Sequence, residues 1–132
     1  MRVLIVEDDF GSRRYLQVLL RDLSEVDVVV DGVEAVEAFR LAWEDKTPYA
    51  LVLMDIMMPN KDGHAALREI REFESAIGVH HNDRARVIMT TALEDPRNVV
   101  DAYQRGEADA YLVKPIEQEK LFETIRGIGL EF

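Results

Sequence analysis

Four short apolar runs in this chain each stop at a residue that can handle charge. Val3-Leu4-Ile5-Val6 ends in Glu7-Asp8, and Ala50-Leu51-Val52-Leu53-Met54 ends in Asp55. Val87-Ile88-Met89 ends in Thr90-Thr91, and Ala110-Tyr111-Leu112-Val113 ends in Lys114-Pro115. Short, near-continuous apolar runs read as strands covered on both faces, the pattern of parallel sheets. In an open parallel sheet the C-terminal strand ends share one edge, and ligands bind in the crevice outside it. The four runs therefore deliver acid, acid, hydroxyl and amine to one place.

The segments between them carry helical spacing. Leu16, Leu19, Leu20 and Leu23 make an i, i+3, i+4, i+7 stripe, and Val33, Val36, Phe39 and Trp43 make another. Leu67, Ile70, Phe73 and Ile77 mark a third helix, and Leu121, Phe122, Ile125 and Ile128 mark the last. Asp95-Pro96 reads as an N-cap followed by proline at the first helical position. The helix it opens carries Val99, Val100 and Tyr103, with Gly106 at its C-terminal turn. Val26 and Val28-Val29-Val30 supply a further strand, and Gly78–Ala85 reads as a polar loop containing His80 and His81. The order is then (βα)5. It implies a three-layer, doubly wound α/β domain of the flavodoxin-like kind, with a five-stranded parallel sheet in the order 2-1-3-4-5.

The chain of 132 residues suits one domain, with no linker, repeat or low-complexity tract, and residues 1–132 are expected to form a single domain without an output domain. A net charge of −10 argues against a nucleic-acid surface, and the absence of cysteine excludes disulfides and thiolate metal sites. No apolar stretch approaches the ~20 residues that span a bilayer, so a cytoplasmic protein is expected.

In the 2-1-3-4-5 order the first and third strands are neighbours, which brings Glu7, Asp8 and Asp55 together. Clustered acids repel without a cation. Magnesium takes oxygen ligands, commonly one or two carboxylates plus a phosphate. Asp8 and Asp55 have the reach to ligate directly, and the longer Glu7 through water. Asp55 is also a candidate nucleophile, because a carboxylate can form an aspartyl phosphate. Lys114, the Thr91 hydroxyl and backbone N–H groups are the candidates to stabilise the phosphoryl oxygens.

Leu4-Ile5-Val6-Glu7-Asp8-Asp9, Leu53-Met54-Asp55-Ile56-Met57-Met58-Pro59 with Asp62-Gly63, Thr90-Thr91-Ala92 and Lys114-Pro115, in this order, resemble the receiver domains of two-component response regulators. The resemblance covers essentially the whole chain. It implies Asp55 as phosphoacceptor, with Glu7, Asp8, Asp55 and the Met57 backbone carbonyl around Mg2+. It implies Thr91 and Lys114 on the phosphoryl group, a cis Lys114-Pro115 bond, and Asp9 as a helix cap rather than a ligand. Tyr111 stands where the family has its switch aromatic. Movement of Thr91 and Tyr111 would remodel the face formed by the predicted fourth helix, fifth strand and fifth helix. The implied partners are a sensor histidine kinase or histidine phosphotransfer protein and a downstream effector. A monomer or a phosphorylation-dependent homodimer is expected: Tyr103, Tyr111 and Phe122 offer an exposed dimer patch, although scattered surface aromatics are more often innocuous. Apolar Met57 and Leu93, each two residues after a site residue, imply slow self-dephosphorylation.

Such a chain is a binding switch modified once per cycle rather than an enzyme. A magnesium-dependent aspartyl phosphohydrolase is the main alternative, but that class places a second acid two residues after its nucleophile, where Met57 stands here. A phosphate-independent scaffold does not need the Glu7, Asp8, Asp55, Thr91 and Lys114 set. Nucleotide binding lacks its glycine-rich loop, because Asp8-Asp9-Phe10-Gly11-Ser12 follows the first strand.

Overall fold

The computed structural model describes residues 1–92 and 107–131. Its strands are β1 (Arg2–Val6), β2 (Glu25–Val29), β3 (Leu51–Asp55), β4 (Arg86–Thr91) and β5 (Ala110–Val113). Its described helices are α1 (Phe10–Leu20), α2 (Gly32–Glu44), α3 (Gly63–Ala76) and, near the C-terminus, α4 (Gln118–Gly127). The helix expected to open at Asp95-Pro96, with Val99, Val100, Tyr103 and Gly106, lies outside the described residues, as does Leu93. The strands are all parallel, in the order β2-β1-β3-β4-β5, as expected. This is the doubly wound, flavodoxin-like sheet, and its order reverses between β1 and β3.

Alternation along the strands divides the core. Leu4, Val6, Val52, Met54, Val87 and Met89 meet α2 and α3 on one face through Ala35, Phe39, Ala66, Leu67 and Ile70. Val3, Ile5, Leu51, Leu53 and Ile88 meet α1 and α4 on the other through Leu16, Leu20, Leu121 and Ile125. β3 is buried at every position, as its unbroken apolar run requires.

Several details depart from the periodicity. In α2 the buried stripe is Ala35, Phe39 and Ala42, while Val33 is exposed. Small alanines let the helix approach the sheet closely, and Val33 sits in the first turn, beyond the sheet's reach. Ile77 is the α3 C-cap and is exposed, and Leu23 falls past the end of α1. The loop before β4 holds a 3₁₀ turn, His81–Asp83, where His80 Nδ1 accepts from the Asn82 amide at 3.3 Å. Tyr111 and Phe122 do not form an exposed patch: both are half-buried, Tyr111 against the α2/α3 side and Phe122 against the α1/α4 side. The third member of that expected patch, Tyr103, is outside the described residues.

The N-terminal end of the sheet is closed by buried charge. Arg71, on α3, donates to Glu74 Oε1 at 2.8 Å, to the Ala85 carbonyl at 2.7 Å, to the Glu107 carbonyl at 2.9 Å and to Asp109 Oδ2 at 3.2 Å. Glu74 accepts from the Ala85 amide and Asp109 from the Val87 amide, both at 2.8 Å. The cluster ties α3 to the segments entering β4 and β5. Its partners satisfy one another, as buried charge requires.

Candidate functional site: an acid cluster at the C-terminal sheet edge

Val6, the last residue of β1, pairs in register with Met54, one residue before β3 ends at Asp55, so the residues that follow Val6 emerge next to Asp55. Glu7 is 1% exposed, Asp55 is 7% exposed and Asp8 is open to solvent. One carboxylate oxygen from each lies within 4.8 Å of the others. β5 brings in the counter-charge. Lys114 Nζ donates to Glu7 Oε1 at 2.6 Å and to Asp55 Oδ2 at 3.2 Å. The Lys114-Pro115 peptide is cis, as expected. The Lys114 amide donates to the Thr91 carbonyl at 2.7 Å, which joins two candidate phosphoryl-binding residues through their backbones. Thr91 ends β4, is buried, and lies opposite Val113 in register.

The electrostatics are strained in one direction. Burial, together with the adjacent Asp55 carboxylate, raises the Glu7 carboxyl to about 7 despite Lys114. Burial works against the Lys114 ammonium, but Glu7 and Asp55 outweigh it and hold its pKa above the ordinary lysine value. Glu7 Oε2 is buried and has no hydrogen-bond partner among the described residues. An orphaned carboxylate oxygen beside two further carboxylates is the donor set a hard divalent cation takes, so the residues fit Mg2+.

The loop after β3 completes the crevice. The Met57 amide donates to Asp55 Oδ1 at 3.2 Å, and Met57 is 61% exposed. Asp62 caps α3 by accepting from the Ala65 amide at 2.8 Å. At Gly63 a Cβ would stand 2.4 Å from the Asp55 carbonyl oxygen, so only glycine lets α3 start this close to β3. Asp9 accepts from the Ser12 amide at 2.8 Å and serves as the α1 N-cap, as expected. Two residues that the sequence motifs pass over, Asp31 and Asn60, bond to each other at 2.8 Å beside this loop. Their only sequence signals are an Asp-Gly pair before a helix and an asparagine after Pro59.

Fold and site together define a flavodoxin-like domain with three clustered carboxylates and a lysine at its topological switch point. Residues 3–126 match the response regulator receiver domain, and the chain belongs to that family, whose place is in two-component signalling. The chemotaxis protein CheY of Halobacterium salinarum is 33% identical over 96% of this chain and 95% of its own length. The chain spans only 13% of the length of the probable histidine kinase 2 of rice, to which it is 33% identical over 97% of this chain, and 52% of the length of the regulatory protein VanRB of Enterococcus faecalis. Among solved structures, the receiver domain of the Arabidopsis thaliana histidine kinase CKI1, complexed with Mg2+ and BeF3−, superposes with a TM-score of 0.80 at 31% identity. That match covers 96% of this chain and 88% of the other. The receiver domain of Ssk1 from Saccharomyces cerevisiae, crystallised with the histidine phosphotransfer protein Ypd1, gives 0.81 at 27% identity, over 98% of this chain and 88% of the other.

Proposed function

We propose that this chain is a phosphorylation switch that accepts a phosphoryl group on Asp55 from a histidine kinase or a histidine phosphotransfer protein. The observation that carries the reading is the setting of Asp55. Its two oxygens receive Lys114 Nζ and the Met57 amide, each at 3.2 Å, beside the Glu7 and Asp8 carboxylates. An Asp55 oxygen attacks the phosphorus of a phosphohistidine. The P–O bond forms as the P–N bond breaks, and the imidazole leaves with the bonding pair and takes up a proton. Bound Mg2+, held by Glu7, Asp8, Asp55 and the Met57 carbonyl, would offset negative charge on the phosphoryl oxygens. Lys114 and the Thr91 hydroxyl supply the remaining donors. Drawing these two residues toward the phosphoryl group would shift β4 against β5, with half-buried Tyr111 as the reporter to a downstream effector. The chain is modified once per cycle and turns over no external substrate. It acts in the cytoplasm, where such kinases present their phosphohistidine, and among the described residues no helix is long and apolar enough to cross a membrane.

Intact mass after incubation with acetyl phosphate and Mg2+ tests the reading. Wild type should gain one phosphoryl group, and Asp55→Ala should gain none. An equal gain in both would move the acceptor elsewhere. No gain in wild type, repeated with a phosphorylated histidine phosphotransfer protein, would leave a phosphate-independent scaffold. Steady release of phosphate from a small ester over many turnovers would instead favour a phosphohydrolase.

A further inference from the structure

The loop between Asp55 and α3 is pinned to the far side of the sheet edge by a pair of side chains the proposed chemistry does not use. Asn60 holds a left-handed backbone, φ 66°, where glycine is the default and asparagine the common substitute. Its Nδ2 donates to Asp31 Oδ2 at 2.8 Å. Asp31 is 7% exposed, and its other oxygen, Oδ1, caps α2 by accepting from the Glu34 amide at 2.9 Å. The Glu34 amide, and after it Asn60, hold the Asp31 carboxyl below the ordinary aspartate range, so it is an ionised acceptor. One residue on, the Gly32 amide donates to the Lys61 carbonyl at 3.1 Å, and a Cβ on Gly32 would stand 2.4 Å from that oxygen. The two loops are in direct contact, and no larger residue fits at Gly32.

The contact lies at the loop's apex, three residues beyond Met57. The loop base is fixed by the Ile56 amide on the Thr90 carbonyl at 3.0 Å and the Gly63 amide on the Ile56 carbonyl at 2.9 Å. Met57, exposed between base and apex, has little packing of its own to hold it.

We infer that Asp31 and Asn60 are positioning residues: their hydrogen bond holds the apex of the loop so that the Met57 main chain stays against Asp55, and it thereby sets the affinity of the acid cluster for Mg2+. This rests on the receiver reading above. It adds that metal affinity is partly written at the start of α2, on an element that contributes no ligand. An asparagine at Asn60 is then explained, because glycine would serve the backbone equally well but would lose the bond.

Calorimetric Mg2+ titration of the full chain tests the inference, with urea midpoints recorded alongside. Asn60→Gly keeps the left-handed backbone and removes the bond. Asp31→Ser keeps the α2 cap and removes the same bond. Each should weaken Mg2+ binding by about tenfold, the low end of what losing an outer partner of a ligand costs. The double variant should lose no more than either single one, because both remove one interaction. The exchanged pair, Asp31→Asn with Asn60→Asp, preserves net charge, the cap and the bond with donor and acceptor reversed, and should recover wild-type affinity within twofold. A fall in urea midpoint with unchanged Mg2+ affinity would mean a purely structural bond and overturn the inference, as would an exchanged pair no better than Asn60→Gly. Asp8→Asn distinguishes this failure from that of the receiver reading. If it loses Mg2+ binding while the clasp variants keep it, only the clasp is wrong. If wild type itself binds no Mg2+, the pocket falls and the clasp's role with it.

Discussion

Lys114 Nζ stands 2.6 Å from Glu7 Oε1 across 107 residues of sequence, closer than it stands to Asp55. The cation is thus engaged first by the residue that needs it most, the more deeply buried carboxylate. Lys114→Met should leave Glu7 to neutralise itself by taking up a proton. The loss of stability should be about 1–3 kcal/mol at pH 8, where that proton is scarce, and smaller at pH 5. Urea unfolding at the two pH values checks this. Equal losses would mean that the pair contributes packing and not charge.

The raised Glu7 carboxyl makes a separate prediction about pH. Its pKa is about 7 in the folded protein against 4.5 for an ordinary glutamate. Between those values the folded state holds a proton that the unfolded state has released. Without metal, stability should therefore fall as pH rises through that window. The depressed carboxyls Asp9, Asp27 and Asp31 titrate below the window and do not oppose the trend. Thermal melts in EDTA should show the decline in wild type and lose most of it in Glu7→Gln. Saturating Mg2+ should flatten it, because a cation favours the carboxylate.

Mg2+ should raise the melting temperature by mass action. At ten times its dissociation constant the gain is about 1.4 kcal/mol, or several degrees for a domain of this size. Asp8→Asn should shrink that gain and, by relieving repulsion among the three acids, raise the melting temperature in EDTA. A melting temperature indifferent to millimolar Mg2+ in wild type would count against the pocket.

Gly63→Ala should be among the most damaging single-methyl additions in the chain. The added carbon would meet the Asp55 carbonyl at 2.4 Å and Met89 Cε at 2.8 Å, and the carbonyl cannot retreat without shifting β3. A loss of about 3 kcal/mol or more is expected, read as a lower urea midpoint. At Gly127 a Cβ meets nothing within 4 Å, so the same change there serves as the control.

Much of this architecture is legible in the chain itself. β1 falls where its apolar run places it, because a strand covered on both faces announces itself without any periodicity to interpret, and β5 falls where its run places it although Val113 is exposed. The convergence of Glu7, Asp8, Asp55 and Lys114 follows from that, since each is the last residue of a strand or stands one or two residues after it. Helix faces were less legible. The valines and isoleucines of α2 and α3 suggested stripes through Val33 and Ile77, yet the sheet selected Ala35 and Ala42, whose small size lets α2 pack closely. Hydrophobicity ranks residues by what they gain from burial and says nothing about how near a helix can come. The Arg71–Glu74–Asp109 cluster and the Asp31–Asn60 bond were illegible for another reason. Arg71 meets Asp109 across 38 residues and Asn60 meets Asp31 across 29, and those meetings are decided only once the layers have stacked.

The two ends of the sheet handle charge in opposite ways. Around Arg71 the chain finishes its own bonds, and every charge there is answered from within. Around Glu7 it stops short, with an oxygen left over and more acid than base. The first end is a foundation and the second a socket. A descendant of this chain selected for durability alone would repair the socket with a leucine or a second lysine, and would become a sturdier molecule with nothing left to notice.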